Sequence, residues 1–176
     1  MSLSLPVYIS SVNNLSDARY CAGMGVTWLG FNIRDIGKVY SENDLRGMMD
    51  WVEGVKFVLE APKGESISEE LIELFDILLT SNSDVKFKKD IINLLDVKDY
   101  LKQDTQNICL VHNEISKLQM NEEIKSSLVK KGGEKAILGF GINTDSLKWI
   151  VSELKPAGIM LKGGKEERPG YKSLDE

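Results

Sequence analysis

The stretch Asn13-Asn14-Leu15-Ser16-Asp17-Ala18-Arg19-Tyr20-Cys21-Ala22-Gly23-Met24-Gly25-Val26-Thr27-Trp28-Leu29-Gly30-Phe31-Asn32 reads as a capped helix followed by a buried strand. Asn14 is placed to cap the helix, with Asp17 three residues on in a capping-box arrangement near the positive helix end. Ala18, Cys21 and Ala22 form a narrow apolar face, and Gly23 with Gly25 stops the helix. Trp28 to Ile33 is an apolar run of strand length, and Val7-Tyr8-Ile9 is another upstream. Strand, helix and strand in this order make one unit of a parallel sheet.

The same alternation continues along the chain. Ser41 caps a second helix bearing Leu45, Met48, Met49 and Val52, and Val55 to Leu59 is a third strand. Ser66 or Ser68 starts a third helix with Leu71, Ile72, Leu74 and Phe75, and Ile77 to Leu79 is a fourth strand. Downstream, Ile108 to Val111 is a strand, and Asn121 caps a helix with Ile124 and Leu128 that stops at Gly132-Gly133. Ala136 to Leu138 is a strand, Asn143 caps a helix with Leu147, Ile150, Val151 and Leu154, and Gly158 to Leu161 is the last strand. The middle is ambiguous. Alternation at Val85, Phe87 and Ile91 favours a fifth strand over Val85 to Ile91, while a helix over Asp84 to Leu95 is the other reading. With the strand, the count reaches eight and the helix after strand four is missing; the helix after strand eight is missing or a stub.

Tyr8-Ile9-Ser10-Ser11-Val12-Asn13-Asn14-Leu15-Ser16-Asp17-Ala18, then Gly25-Val26-Thr27 and Gly30-Phe31-Asn32-Ile33, resembles the opening of the phosphoribosylanthranilate isomerase family. That family begins K-x-C-G-[IL]-[TN]-x-x-E-D-A, with a helix ending G-[AV]-D and a strand G-F-x-F. Gly139-Phe140-Gly141-Ile142-Asn143 stands where the family has S-G-G-L-N, and Gly164-Lys165-Glu166-Glu167-Arg168-Pro169-Gly170 matches the spacing of G-V-E-x-x-P-G. The resemblance implies a shortened (β/α)8 TIM barrel in one domain, residues 1–176, below the roughly 200-residue lower limit usual for such barrels. It also implies an Amadori rearrangement of a phosphoribosyl amine in tryptophan biosynthesis, a proton shuffle that needs an acid and a base.

The chemistry-bearing positions depart from the family. Ser10 takes the place of the basic cysteine, Tyr8 that of the lysine before it, and a hydroxyl is a far weaker acid than a thiol. The family's strand-six aspartate falls on Val111 or His112; His112 is the single histidine, a residue type suited to general acid or base work near neutral pH, with Glu114 a further candidate. Against both catalytic readings stand plain structural ones, a small polar filler and a hydrogen-bonded strand-end imidazole. The family's glycine-rich phosphate loops correspond to Gly139-Phe140-Gly141 and Lys162-Gly163-Gly164. Gly141, Lys162, Gly163 and Gly164 are therefore the expected phosphate-binding residues, although Phe140 sets a ring where the family has glycine. Asn32 and Arg34 are expected to line the substrate site. Val39 replaces an arginine before the retained Tyr40, with Arg34, Lys38 or Arg168 as candidate substitutes.

Composition fits a single globular domain. The 176 residues are 42% apolar and 28% charged, with net charge -5. An acidic chain argues against nucleic acid and an anionic membrane surface as partners, while a small phosphorylated metabolite is compatible with backbone amides and one or two cations. No apolar run reaches the roughly 18 residues a membrane span needs. The leading Met-Ser-Leu lacks a signal-peptide pattern, so a cytoplasmic location is expected. Cys21 and Cys109 make no CxxC pair and are expected reduced and buried. No cofactor and no metal are expected. Three functions compete: a divergent isomerase using Ser10 and His112, a non-catalytic barrel that binds a phosphorylated metabolite, and a protein-interaction module. Strands lacking a covering helix (Ile77 to Leu79, Val85 to Phe87, Ile159 to Leu161) would expose apolar area, from which a homodimer is expected.

Overall fold

Asn14 accepts a hydrogen bond from the Asp17 backbone N–H at 2.8 Å and so opens helix α1 (Leu15–Gly23). The Asp17 carboxylate answers the Asn14 side-chain amide at 3.0 Å, not its backbone as in a capping box. Gly25 (φ 80°) turns the chain out of the helix into β2 (Trp28–Asn32), which pairs in parallel with β1 (Val7–Ser10). The same local logic builds the remaining units of this computed structural model, which describes residues 3–62, 64–82, 88–112 and 121–162. Ser41 forms a full capping box with Asp44 at the start of α2 (Glu42–Asp50), before β3 (Lys56–Glu60). Ser68, not Ser66, caps α3 (Glu69–Leu74), which leads into β4 (Ile77–Thr80).

The fifth strand is displaced from its expected place. β5 runs Asp90–Asp96, pairing Leu78 with Ile91 and Leu79 with Ile92; residues 83–87, including Val85 and Phe87, lie outside the described residues. The run Ile91-Ile92-Asn93-Leu94-Leu95 is apolar on both faces, the pattern of a parallel strand packed on two sides, so alternation was the wrong signal. Asp96 then caps the short α4 (Val97–Lys102). β6 (Cys109–His112), α5 (Glu122–Lys131), β7 (Ala136–Leu138), α6 (Thr144–Trp149) with a π-helical turn over Ile150–Leu154, and β8 (Gly158–Lys162) complete the order. β8 pairs with β1, closing eight parallel strands into a TIM barrel. Among the described residues no helix separates β4 from β5, and the chain beyond Lys162 lies outside them.

Two cores result from the two faces of the strands. Tyr8, Trp28, Val58, Ile77, Leu79, Ile92, Leu110 and Ile137 fill the barrel interior, with Leu94 and Met160 against them. Leu29, Phe31, Leu59, Leu78, Val111 and Leu138 point the other way, into the layer beneath the helices, with Leu45, Phe75, Leu128 and Ile150. β4 is buried along its whole length, and its outward end pairs Thr80 with Asn93, so the expected apolar gap beside β4 is not there. Leu161 on β8 is exposed, but the largest exposed apolar side chains lie around α1 and α2: Trp51 (70%), Val39 and Tyr20. Cys109 is buried and Cys21 half-buried, and no disulfide joins them. Among the described residues no helix is long and apolar enough to cross a membrane.

Candidate functional site

Active sites of such barrels form where the strands end. Inward-facing residues recur every second position along a strand, so the interior residues fix which strand-end side chains share the mouth. Ser10 follows Tyr8 and Lys162 follows Met160, and the two pair in register across β1 and β8. Glu60 follows Val58 and pairs with Asn32. Asp96 follows Leu94 and His112 follows Leu110, paired across β5 and β6. Six polar side chains therefore ring the mouth in three neighbouring pairs. The one cation among them, Lys162 on β8, stands across the barrel from Asp96 on β5, while the Glu60 carboxylate reaches from β3 to Tyr8 and Ser11 on the β1 side.

Glu60 is the best-anchored of these groups and is only 7% exposed. Its Oε1 accepts from the Tyr8 hydroxyl at 2.5 Å and from the Ser11 backbone N–H at 3.1 Å, and its Oε2 from Ser11 Oγ at 3.0 Å. A buried carboxylate is tolerated when its lone pairs are met in this way. Ser11 stands where K-x-C-G has its glycine and holds the left-handed backbone that glycine favours, φ 55°. The two bonds to Glu60 are what hold a serine there. Gly30 leaves the space that the Tyr8 hydroxyl and the Glu60 carboxylate occupy.

The other expected residues divide. Asn32 spends its side-chain oxygen locally, accepting from the Arg34 N–H at 2.9 Å. Arg34 is exposed and its Nε pairs with Glu65 Oε1 at 2.7 Å, which ties the loop after β2 to the loop after β3. Gly141 turns with φ 66° and its carbonyl accepts from Ser146 Oγ at 2.7 Å. The Gly139 N–H is used in the sheet, donating to the Val111 carbonyl at 2.8 Å. Phe140 packs into the outer core, so its ring does not block the mouth as the sequence had implied. Gly163, Gly164, Glu114 and Arg168 lie outside the described residues.

Sequence reasoning missed Glu60 and Asp96. A carboxylate directly following an apolar strand run marks a barrel mouth, and Glu60 follows Leu59 in just this way. Asp96 was hidden by the misplaced fifth strand. Its Oδ1 accepts from the Lys98 N–H at 2.9 Å, while its buried Oδ2 has no partner among the described residues. No cluster of His, Cys, Asp or Glu among the described residues is arranged to hold a metal ion.

Burial first, and then the Glu60 charge and hydrogen bond, push the Tyr8 phenol well above its ordinary pKa. Burial raises Tyr40 too, aided by Asp35 and Glu60, and burial raises Tyr100, aided by Cys109 and Glu134. A folded pKa above the unfolded value means stability is complete below the unfolded pKa and falls as pH rises beyond it. The protein is therefore expected to lose stability above about pH 10, the ordinary tyrosine value. Tyrosinate absorbance should rise together with loss of circular dichroism; ionisation of Tyr8, Tyr40 and Tyr100 in a fully folded chain would contradict this.

No protein-family model matches the sequence, and no curated protein matches it. Solved structures do. The phosphoribosylanthranilate isomerase from Thermus thermophilus superposes with TM-score 0.68 at 20% identity, over 96% of this chain and 92% of that one. An isomerase in complex with reduced 1-(o-carboxyphenylamino)-1-deoxyribulose 5-phosphate gives TM-score 0.69 at 15% identity, over the same 96% and 92%. The Thermotoga maritima isomerase, described as monomers generated from a dimeric enzyme, gives 0.67 at 16% identity, again over 96% and 92%. The fold is that of phosphoribosylanthranilate isomerase. Nearly the whole length of both chains takes part in each superposition.

Proposed function

We propose that this chain is a phosphoribosylanthranilate isomerase-like barrel that binds a phosphorylated sugar derivative at its C-terminal mouth and turns over N-(5'-phosphoribosyl)anthranilate only weakly. The observation that carries this reading is the charge division of the mouth. Lys162 and the glycine turn at Gly141 lie on the β7–β8 side, and the Asp96 carboxylate lies opposite at the end of β5. A ligand with an anion at one end and hydroxyls or an amine at the other matches that division. One isomerase of the same fold holds such a molecule, a deoxyribulose 5-phosphate. Ser10 and His112 in place of thiol and carboxylic acid account for weak turnover.

Titration calorimetry with reduced 1-(o-carboxyphenylamino)-1-deoxyribulose 5-phosphate is the direct test. Saturable binding that weakens about tenfold in Lys162→Ala is expected, one screened ion pair being worth on the order of 1 kcal/mol. Absence of binding would leave the non-catalytic interaction module as the better reading. We also propose a homodimer, in keeping with the dimeric Thermotoga maritima enzyme and with the exposed Leu161, Trp51 and Val39. Sedimentation equilibrium at micromolar concentration should give twice the chain mass of 19.7 kDa; a monomer throughout would overturn it.

A further inference from the structure

Serine serves as a base only where another group takes its own proton. Ser10 has such a group within two hydrogen bonds. Ser10 Oγ lies 3.2 Å from Ser11 Oγ, and Ser11 Oγ donates to Glu60 Oε2 at 3.0 Å. A hydroxyl has one hydrogen; Ser11 gives its own to Glu60, so across the first gap Ser10 is the donor. The direction of the chain is thus settled as Ser10 to Ser11 to Glu60.

We propose that Ser10, Ser11 and Glu60 form a proton relay, with Ser10 as the group that meets the substrate carbon and Glu60 as the final acceptor. The proposal rests on the reading of the mouth as a phosphosugar site. In the ring-opened iminium form of the sugar amine, the C–H bond at the carbon beside the iminium breaks. Its electron pair becomes the new carbon–carbon double bond, and the iminium pair moves onto nitrogen. The released proton passes to Ser10 Oγ, the Ser10 proton to Ser11 Oγ, and the Ser11 proton to Glu60, which ends as the neutral acid. Ser11 and Glu60 are positioning residues here, since neither touches the substrate.

The surroundings are built around this path. Tyr8 and the Ser11 N–H fix Oε1, which leaves Oε2 to the relay. Gly30 clears the space for the carboxylate, and Ser11 keeps its hydroxyl at a backbone position that glycine would occupy without strain. A purely structural role for Glu60, clamping the loop after β1 to β3, needs only the Ser11 N–H. Ser11→Gly separates the two: it keeps that N–H, relieves the left-handed backbone, and removes the relay hydroxyl.

The measurement is loss of deuterium to H2O, followed by NMR, from N-(5'-phosphoribosyl)anthranilate labelled at ribose C2, the carbon whose C–H bond the relay breaks. The wild-type chain is expected to exchange this position faster than protein-free buffer. Ser10→Ala, Ser11→Gly and Glu60→Gln should each slow exchange about 100-fold, the usual effect of losing one proton-transfer group. Affinity of Ser11→Gly for the reduced analogue should not change, so the loss falls on rate and not on binding. If Glu60→Gln fails to fold, Ser11→Gly decides alone. Wild-type exchange no faster than buffer, or full exchange in Ser11→Gly, overturns the relay. Failure of the wild-type chain to bind the reduced analogue overturns the phosphosugar reading instead.

Discussion

Gly30→Ala is expected to be a strongly damaging conservative change in this barrel. A methyl group at residue 30 would fall inside van der Waals contact of both the Tyr8 hydroxyl oxygen and Glu60 Oε1. Both neighbours are buried, and Tyr8 is wholly so, which leaves neither a free direction in which to yield. Overpacking a core costs about 1–3 kcal/mol, and parting a hydrogen bond to a charged group costs about 1.5–3 kcal/mol more. The sum, roughly 2.5–6 kcal/mol, corresponds to a fall in Tm on the order of 10 °C for a domain of this size. Gly47→Ala is the control. It lies inside α2 with nothing within 4 Å of an added methyl, so a gain of about 0.5–1 kcal/mol is expected there. Urea denaturation of both variants checks the pair. A Gly30→Ala protein as stable as wild type would mean that the Tyr8–Glu60 bond is not formed in solution.

Much of this fold was readable from punctuation. Asn14, Ser41, Ser68, Asn121 and Asn143 all cap helices through their side chains, and each announces itself by being a short polar residue just before an apolar helical stripe. Strand assignments held where a run was short and apolar and failed at β5. There Asn93 interrupts an apolar stretch and Asp90 and Asp96 bound it, so the run looked half-helical while Val85 and Phe87 offered a cleaner alternation. The mouth was legible only in part. Ser10, His112 and Lys162 sit at strand ends and could be found by comparison with a family motif. The bond from Ser11 to Glu60 joins residues 49 positions apart, and the pairing of Asp96 with His112 depends on barrel register; neither separation leaves a local signal. Phe140 shows the converse error. A motif aligns positions and not directions, and one step along the chain carries the Phe140 ring to the outer core.

Turnover of N-(5'-phosphoribosyl)anthranilate is expected to fall far below that of an isomerase with the full K-x-C-G cysteine and strand-six aspartate. Each proton-transfer group that is absent or mismatched forfeits about 10²- to 10⁴-fold. At the base position the relay to Glu60 recovers part of the loss, because it gives the Ser10 proton a destination, but three atoms must shift together where a thiolate acts alone. At the acid position His112 is half-buried beside Asp96, whose Oδ2 is unpartnered among the described residues. An imidazole at this strand end stands where the family's aspartate donates its proton to the ring oxygen. Residual activity should therefore need both sides of the mouth. Ser10→Ala and His112→Ala are each expected to abolish what remains, while Asn32→Ala, whose side chain serves a local turn, should change it less than tenfold. Steady-state fluorescence assays and rescue of a tryptophan auxotroph are the measurements. Efficient rescue by the wild-type chain would show that serine and histidine at these strand ends perform the proton shuffle fully, and that the family's thiol and aspartate are one solution to it among others.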